Sequence, residues 1–357
     1  MKVLDLTRRA TGPEVRLEAT GGGELLVSLA TFLDPDDRMT VESGADWFEN
    51  IETRLSPRLA ATLKSLGSGC SKLWMSLAGI LMDGSPRSAE ALLERLDRLP
   101  AEEVRLHLLG YYIPAHHGGQ SISAEQIKRA AEGDPEAQKA LLADVHYRAH
   151  NGGDSLEMLL GLDAAGTKRL VVDVLRGWYE EYFAHEEAEL TRTLERDVQL
   201  KHQELAGLSP AEWVVKASGI DFVPEPGIDR LVLVPQIAMR PWVMIIETRD
   251  TRFIFYPVSD EALQRESPAP PARLVRLHRA LGDEKRLRIL RLLADRGSAT
   301  LQEIADEMGI AKSTAHHHLV QLRSAALTQL TTGDEWRWSL RREALPEASG
   351  LLEAYLR

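Results

Sequence analysis

Apolar residues follow two different periods along the chain, one typical of strands and one typical of helices. Residues 231–234, 242–248 and 252–258 are short runs of apolar, β-branched and aromatic residues, which predict three strands. The brief connection Arg249-Asp250-Thr251 favours a β-meander. In residues 2–7 and 14–18 apolar and polar side chains alternate, and the two segments predict a hairpin at the start of the chain.

Helical spacing dominates between these β regions. Residues 22–33 carry leucines on one face, Ser123 begins a capping-box sequence, and Ser209-Pro210 is typical of a helix start. The longest pattern runs over residues 167–205 and predicts a helix whose first half is buried and whose second half is exposed. Because β runs flank a helical middle, we expect an α+β domain over residues 1–265.

A proline-rich linker over residues 266–271 follows, with Pro268, Pro270 and Pro271 excluding helix and central strand. Residues 272–357 then predict a different domain. Helices over 272–281, 284–294 and 301–308 lead to a turn at Gly309, a further helix over 311–323, two strands and a final helix. Helix, glycine turn, helix and a following hairpin predict a winged helix-turn-helix that binds DNA.

Three stretches of this region are specific enough to compare with a known family. They read ALGDEKRLRILRLL, LQEIADEMGIAKSTAHHHLVQLRSAAL and GDEWRWSL. In this order they resemble the ArsR/SmtB transcriptional regulators. The resemblance implies a homodimer joined through the first and last helices of the domain, and a repressor that leaves its double-stranded DNA operator when an effector binds. The long N-terminal region resembles that of the minority of such regulators with a large additional domain.

The resemblance also places DNA contacts at the start of the recognition helix, at Lys312, Ser313, Thr314, His316 and His317. Hydroxyl groups reach phosphates or base edges, lysine supplies positive charge, and imidazole can donate to guanine.

Two further residues extend this candidate interface. Gln321 lies further along the same helical face, and Arg337 flanks the predicted wing. The wing tip itself reads Gly333-Asp334-Glu335, and its carboxylates would repel phosphate. Either the wing does not touch DNA, or Arg337, Arg341 and Arg342 supply the charge from its flank.

The uneven distribution of charge along the chain supports a division into two different domains. The chain has a net charge of −11, but residues 271–357 contain 14 Lys/Arg and 11 Asp/Glu. A mildly basic domain attached to an acidic body is typical of a DNA reader fused to another module. The chain has one cysteine, Cys70, and no long apolar run, which favours a cytoplasmic protein.

No cofactor or metal is expected. Leu301–Ala305 lacks the Cys-x-Cys pair of metal-sensing relatives, and the last helix has no histidine. The rings of His316, His317 and His318 fan out around the helix and cannot converge on one ion. His146 and His150 are four residues apart, with His116 and His117 upstream, and the sequence leaves the role of all four open.

The N-terminal region offers only weak candidates for chemistry. Gly21-Gly22-Gly23 is interpreted as a plain loop, and five tryptophans favour core packing over a pocket for an apolar effector. Three functions remain open for this region: an effector-binding domain, an enzyme or a dimerisation module. We favour an effector-binding domain without enzymatic activity. A stiff proline linker would transmit motion of the N-terminal domain to the DNA-binding domain. Replacing Pro268, Pro270 and Pro271 with glycine should therefore uncouple DNA binding from the effector.

Overall fold

A computed structural model describes most of the chain and confirms the mixed helical and β class. The described residues are 13–34, 41–66, 71–81, 87–113, 122–150, 155–221, 227–263, 270, 272–331, 336–342 and 344–356. Among them, no helix is both long and apolar enough to cross a membrane. The predicted partner of the first hairpin, residues 2–7, and Cys70 lie outside the described residues.

Strands from both ends of the N-terminal region meet in one sheet. The strands are β1 (Glu14–Leu17), β3 (Arg230–Gln236), β4 (Met244–Thr248) and β5 (Thr251–Pro257), and their spatial order is β1-β3-β5-β4. β1 and β5 both run parallel to β3, whereas β4 and β5 form an antiparallel hairpin.

The meander prediction is therefore right for β4 and β5 and wrong for β3. A meander would place β4 beside β3, but β4 lies at the edge and β5 occupies the central place. The physical reason is burial. β5 is buried on both faces and is apolar or aromatic over residues 253–256, so it lies between two strands, whereas β4 is half-buried over its first three residues.

Fourteen helices lie between and around these strands in the described part of this region. They are α1 (Gly21–Leu33), α2 (Gly44–Arg54), α3 (Pro57–Ser65), α4 (Ser71–Ser76), α5 (Ala78–Leu81), α6 (Ala89–Arg98), α7 (Ala101–Leu108), α8 (Ala124–Ala131), α9 (Pro135–Ala143), α10 (Val145–His150), α11 (Ser155–Leu160), α12 (Ala164–Glu181), α13 (Glu187–Glu204) and α14 (Pro210–Ser218). The predicted capping box at Ser123 is present, and the helix start predicted at Ser209 has a capping box as well.

Helix α1 is the central helix of the largest core. It begins at Gly21, so the three glycines form its first turn and the plain-loop interpretation is wrong. Thr20 caps this turn, and a Cβ added at Gly22 would lie 2.8 Å from Leu92 of α6. The glycines therefore allow α6 to pack closely against the start of α1.

The long helical pattern over residues 167–205 is interrupted. α12 ends at Glu181, a short 3-10 turn covers Phe183–His185, and α13 begins at Glu187. α12 buries its apolar stripe in the core, and α13 is mostly exposed, as the two halves of the pattern predict. Phe183 is fully buried at the break, which bends the chain so that its ring enters the core.

The five tryptophans of this region all pack in or against hydrophobic clusters. Trp74 and Trp178 are fully buried, and the Trp178 indole donates to Ser28 Oγ at 3.0 Å. Trp47, Trp213 and Trp242 are partly buried against the same or neighbouring clusters. Core packing accounts for them.

The C-terminal part has a hydrophobic core of its own. Its elements are α15 (Ala272–Leu281), α16 (Glu284–Arg296), β6 (Ser298–Thr300), α17 (Leu301–Met308), α18 (Lys312–Ser324), β7 (Thr328–Thr331), β8 (Arg337–Leu340) and α19 (Ala344–Leu356). β8 pairs antiparallel with both β6 and β7. A two-residue strand from the N-terminal region, β2 (Ile220–Asp221), completes this second sheet by pairing with β7.

Candidate nucleic-acid interface

The helix-turn-helix consists of α17, a glycine turn and α18. Thr300 caps α17 through a capping box with Glu303, because each side chain accepts the other residue's backbone N–H. Gly309 ends the helix with φ of 61°, a left-handed conformation that glycine adopts without strain. The backbone N–H of Ile310 then donates to the Ala305 carbonyl at 3.0 Å, which fixes the direction in which α18 starts.

One face of α18 holds it to the domain. Ala315, Leu319 and Leu322 are fully buried in the C-terminal core, as their spacing predicts. His318 is also buried, and burial lowers its pKa, which favours the neutral imidazole. It is therefore a packing residue of the C-terminal core.

The opposite face of α18 is open to solvent and carries the residues predicted to contact DNA. Lys312, Ser313, His316 and His317 are exposed, and Thr314 and Gln321 are half-buried on the rim of that surface. The structure thus brings these six side chains onto one accessible surface of one helix. Their contact with DNA stays a prediction.

The first turn of α18 has no side-chain cap from its N-cap residue. That residue is Ala311, which makes no side-chain hydrogen bond, whereas Asp283 caps α16 and Thr300 caps α17. The first backbone N–H groups of α18 therefore point away from the helix without a capping side chain. Uncapped N–H groups and the helix dipole together favour a phosphate at this position.

Arg337 lies on the wing but is already engaged. Its guanidinium lies 3.1 Å from Glu303 Oε2, and its Nε donates to Ser298 Oγ at 3.1 Å. These bonds tie the start of β8 to β6 and α17, so Arg337 supports the helix-turn-helix from behind. A DNA contact by Arg337 would require its guanidinium to share or exchange these partners.

The predicted wing hairpin is present, but the structure does not describe its acidic tip. β7 and β8 form the predicted hairpin, and Trp338 is buried in the domain core. Trp336, the residue before β8, is 55% exposed. The acidic tip, with Asp334 and Glu335, lies outside the described residues.

The histidine candidates in the N-terminal region do not gain support. His146 and His150 both lie in α10, one helical turn apart, but their side chains are outside the described residues, as are His116 and His117. Among the side chains that the structure describes, no group of three His, Cys, Asp or Glu residues could hold a metal ion.

Comparison with known proteins agrees with this geometry. A helix-turn-helix domain family matches residues 281–330, which span α16, α17, α18 and most of β7. An HTH-type transcriptional regulator of Methanocaldococcus jannaschii is 36% identical over 62 residues, covering 17% of this chain and 70% of that protein. The chain belongs to the helix-turn-helix transcriptional regulators. No solved structure gives a significant match.

The match confirms the resemblance drawn from the sequence, an ArsR-like winged helix-turn-helix at the C-terminal end of the regulator. Sequence reasoning missed two features of this regulator. It missed β6, because three polar or small residues carry no strand pattern, and it missed β2, because two residues are too few to show a strand pattern. Both strands form only because a neighbouring strand offers hydrogen-bonding groups to them.

Proposed function

We propose that this regulator is an effector-responsive repressor that acts in the cytoplasm as a homodimer and binds a double-stranded DNA operator through α18. The observation that carries the proposal is the exposed face of α18, where Lys312, Ser313, His316 and His317 surround an uncapped helix start. Such a surface presents hydroxyl, imidazole and ammonium donors to a major groove. We assign no catalytic step to the N-terminal region.

Selection of bound sequences from a random DNA duplex library, with the full chain as bait, tests the proposal. We expect an enriched inverted repeat whose half-sites lie about 10 base pairs apart, because a two-fold dimer places two recognition helices ~34 Å apart. Affinity for the selected duplex should fall steeply as salt increases. Failure to enrich any sequence would overturn DNA recognition, and a single unrepeated half-site would overturn the dimer.

The homodimer is supported by apolar residues left exposed on α15 and α19. These two helices contact one another, and they expose Val275, Leu352, Tyr355 and Leu356. Leu356 is 73% exposed. Several large apolar side chains on one pair of helices are typical of a surface that a second copy covers.

Replacing Leu352 and Leu356 with glutamate should therefore produce a monomer. Burying two new carboxylates at the interface carries a large desolvation cost, and the monomer should bind the selected duplex much more weakly because it engages one half-site. Sedimentation velocity measures the first effect and a gel-shift assay the second. Val145→Glu is the control, since Val145 is exposed on α10, far along the chain from this surface. A dimeric L352E/L356E variant would place the interface elsewhere.

Effector binding is assigned to the N-terminal region, because that region forms large hydrophobic cores apart from the DNA-binding domain. An open groove of about 580 Å³ is lined by Arg54, Glu181, His185 and Glu186. A polar ligand there would have to share the pairing of Arg54 with Glu186 and the bonds of Glu181 with Ser56. A metabolite that raises the Tm of the full chain and also changes its affinity for the selected duplex would support this assignment. A screen in which no compound does both would contradict it.

A further inference from the structure

The wing is joined to the N-terminal region by backbone pairing. β2 runs parallel to β7, with Ile220 opposite Leu330 and Asp221 opposite Thr331. β7 therefore lies between β8 of the wing and a strand from outside the DNA-binding domain. In a two-stranded wing β7 would be an edge strand, and here β2 covers that edge.

β2 is itself held firmly by the N-terminal region. It follows α14 directly, because Gly219 adopts a left-handed conformation with φ of 66° and turns the chain into the strand. Val214 of α14 packs in a cluster with Leu231 and Ile254 of the first sheet. A movement of α14 against that sheet would therefore reach the wing through β2.

A second contact joins α15 to the N-terminal region through four charged side chains, Arg276, Glu42, Arg240 and Asp260, which we call the arginine–carboxylate cluster. The Arg276 guanidinium lies 2.6 Å from Glu42 Oε1 and 3.6 Å from Asp260 Oδ2. Arg240 bonds the same two carboxylates, at 3.0 Å to Glu42 and 2.5 Å to Asp260. Positive and negative groups alternate, so each carboxylate lies between two guanidinium groups.

The arginine–carboxylate cluster is largely shielded from solvent. The Arg240 side chain is 5% exposed and that of Glu42 is 14% exposed, so salt screens them less than surface charges. Backbone bonds also fix the geometry, since the N–H of Glu42 donates to the Arg240 carbonyl at 2.8 Å. Neutralising the two carboxylates would leave two guanidinium groups close together with no counter-charge in the cluster.

The docked arrangement leaves the DNA-reading surface free. Lys312, Ser313, His316 and His317 are exposed while β2 and the cluster hold the domain in place. Docking therefore does not block α18, and the contacts act on the position of the wing and of α15 instead.

We propose that the N-terminal region sets the orientation of the wing through β2, and that the arginine–carboxylate cluster holds this arrangement, so that full DNA affinity requires it. The inference rests on the proposed DNA-binding function. It also changes the route by which the N-terminal region is expected to affect the DNA-binding domain, from the linker to direct contacts. Most of the proline-rich linker lies outside the described residues, whereas β2 and the cluster are direct contacts between the two parts.

The test compares two double variants with the same change in charge. Glu42→Gln with Asp260→Asn weakens the cluster and leaves every residue of the DNA-binding domain unchanged. Asp46→Asn with Glu49→Gln is the matched control, because both side chains are exposed on α2, next to Glu42 in sequence. Loss of two negative charges alone should leave DNA affinity unchanged or tighten it, since repulsion of phosphate falls. We expect the cluster variant to bind the selected duplex at least tenfold more weakly.

Amide hydrogen exchange provides the second measurement. We expect residues 328–331 to exchange faster in the cluster variant than in the control, because the pairing of β2 with β7 opens more often. Faster exchange together with weaker binding supports the proposal. Unchanged exchange would show that the cluster does not hold the wing, and faster exchange with unchanged or tighter binding would show that DNA affinity does not depend on docking.

A strand variant covers the case in which the cluster variant fails to fold. Asp221→Pro removes a backbone donor from β2 without touching the cluster, and we expect the same two changes from it. Wild-type exchange and affinity unaltered by Asp221→Pro would overturn the role of β2. If the wild-type chain selects no duplex, the proposed function fails first, and exchange at residues 328–331 still reports on the contact.

Discussion

Replacing Ser313 and His317 with alanine should abolish sequence-specific DNA binding and leave the fold intact. Both side chains are exposed on the free face of α18, so their removal disturbs no core contact. Each lost base or phosphate contact costs ~1–3 kcal/mol, and two together should weaken binding by a factor on the order of a hundred or more. A gel-shift titration with the selected duplex measures the loss, and circular dichroism checks the fold.

Ser65→Ala with His202→Ala is the matched control, since it removes the same two side-chain types from exposed positions on α3 and α13. The control should bind as the wild type does. A folded S313A/H317A variant with wild-type affinity would show that another element enters the groove.

Glu24→Gln should remove a large pH dependence from the stability of the N-terminal region. Glu24 is fully buried in the first turn of α1, and its two carboxylate oxygens accept from the backbone N–H groups of Ile237 and Ala238 at 2.9 and 2.8 Å. Burial raises the pKa of Glu24 from 4.5 to about 7, although the two backbone hydrogen bonds oppose the shift.

The direction of the effect follows from the raised pKa. The folded state holds the Glu24 proton more tightly than the unfolded state does, so this stabilisation is complete below pH 4.5 and is lost as pH rises to about 7. The loss amounts to at most ~3 kcal/mol in the free energy of unfolding. Because the glutamine side chain of the E24Q variant does not titrate, the stability difference between wild type and variant should shift toward the variant by about this amount between pH 4.5 and 8.

Urea denaturation at a series of pH values measures this difference. Glu49→Gln serves as the control, because Glu49 is exposed on α2 and its replacement should change stability little at any pH. A wild-type and E24Q difference that stays constant from pH 4.5 to 8 would mean that folding does not raise the pKa of the Glu24 carboxyl.

The helix-turn-helix could be predicted from the sequence almost residue by residue. Its signals are local: Thr300 and Glu303 three residues apart, Gly309 at the turn, and Ala315, Leu319 and Leu322 on one face of α18. Caps, turns and helical faces depend on neighbours within about four residues, so they can be predicted from the sequence alone. The exposed residues of α18 follow from the same periodicity.

The sheet of the N-terminal region shows where such local signals stop. The runs that became β3, β4 and β5 were identified, but their order depends on which strand loses most by remaining at an edge. The first turn of α1 is a similar case, because three glycines in sequence resemble a loop until α6 packs against them. Neither arrangement is visible without the partner that creates it.

The sequence by itself determined that the C-terminal region forms a winged helix-turn-helix and which face of α18 is open to solvent. Only the tertiary structure decided that Arg337 is held by Glu303, that Glu24 is buried beneath the chain at residues 237–238, and that β2 and Arg276 join the two parts. Residues 42, 240, 260 and 276 carry no common motif and lie more than two hundred positions apart at the extremes. Charge pairs and strand edges select partners by distance in space, and that distance exists only once the chain has folded.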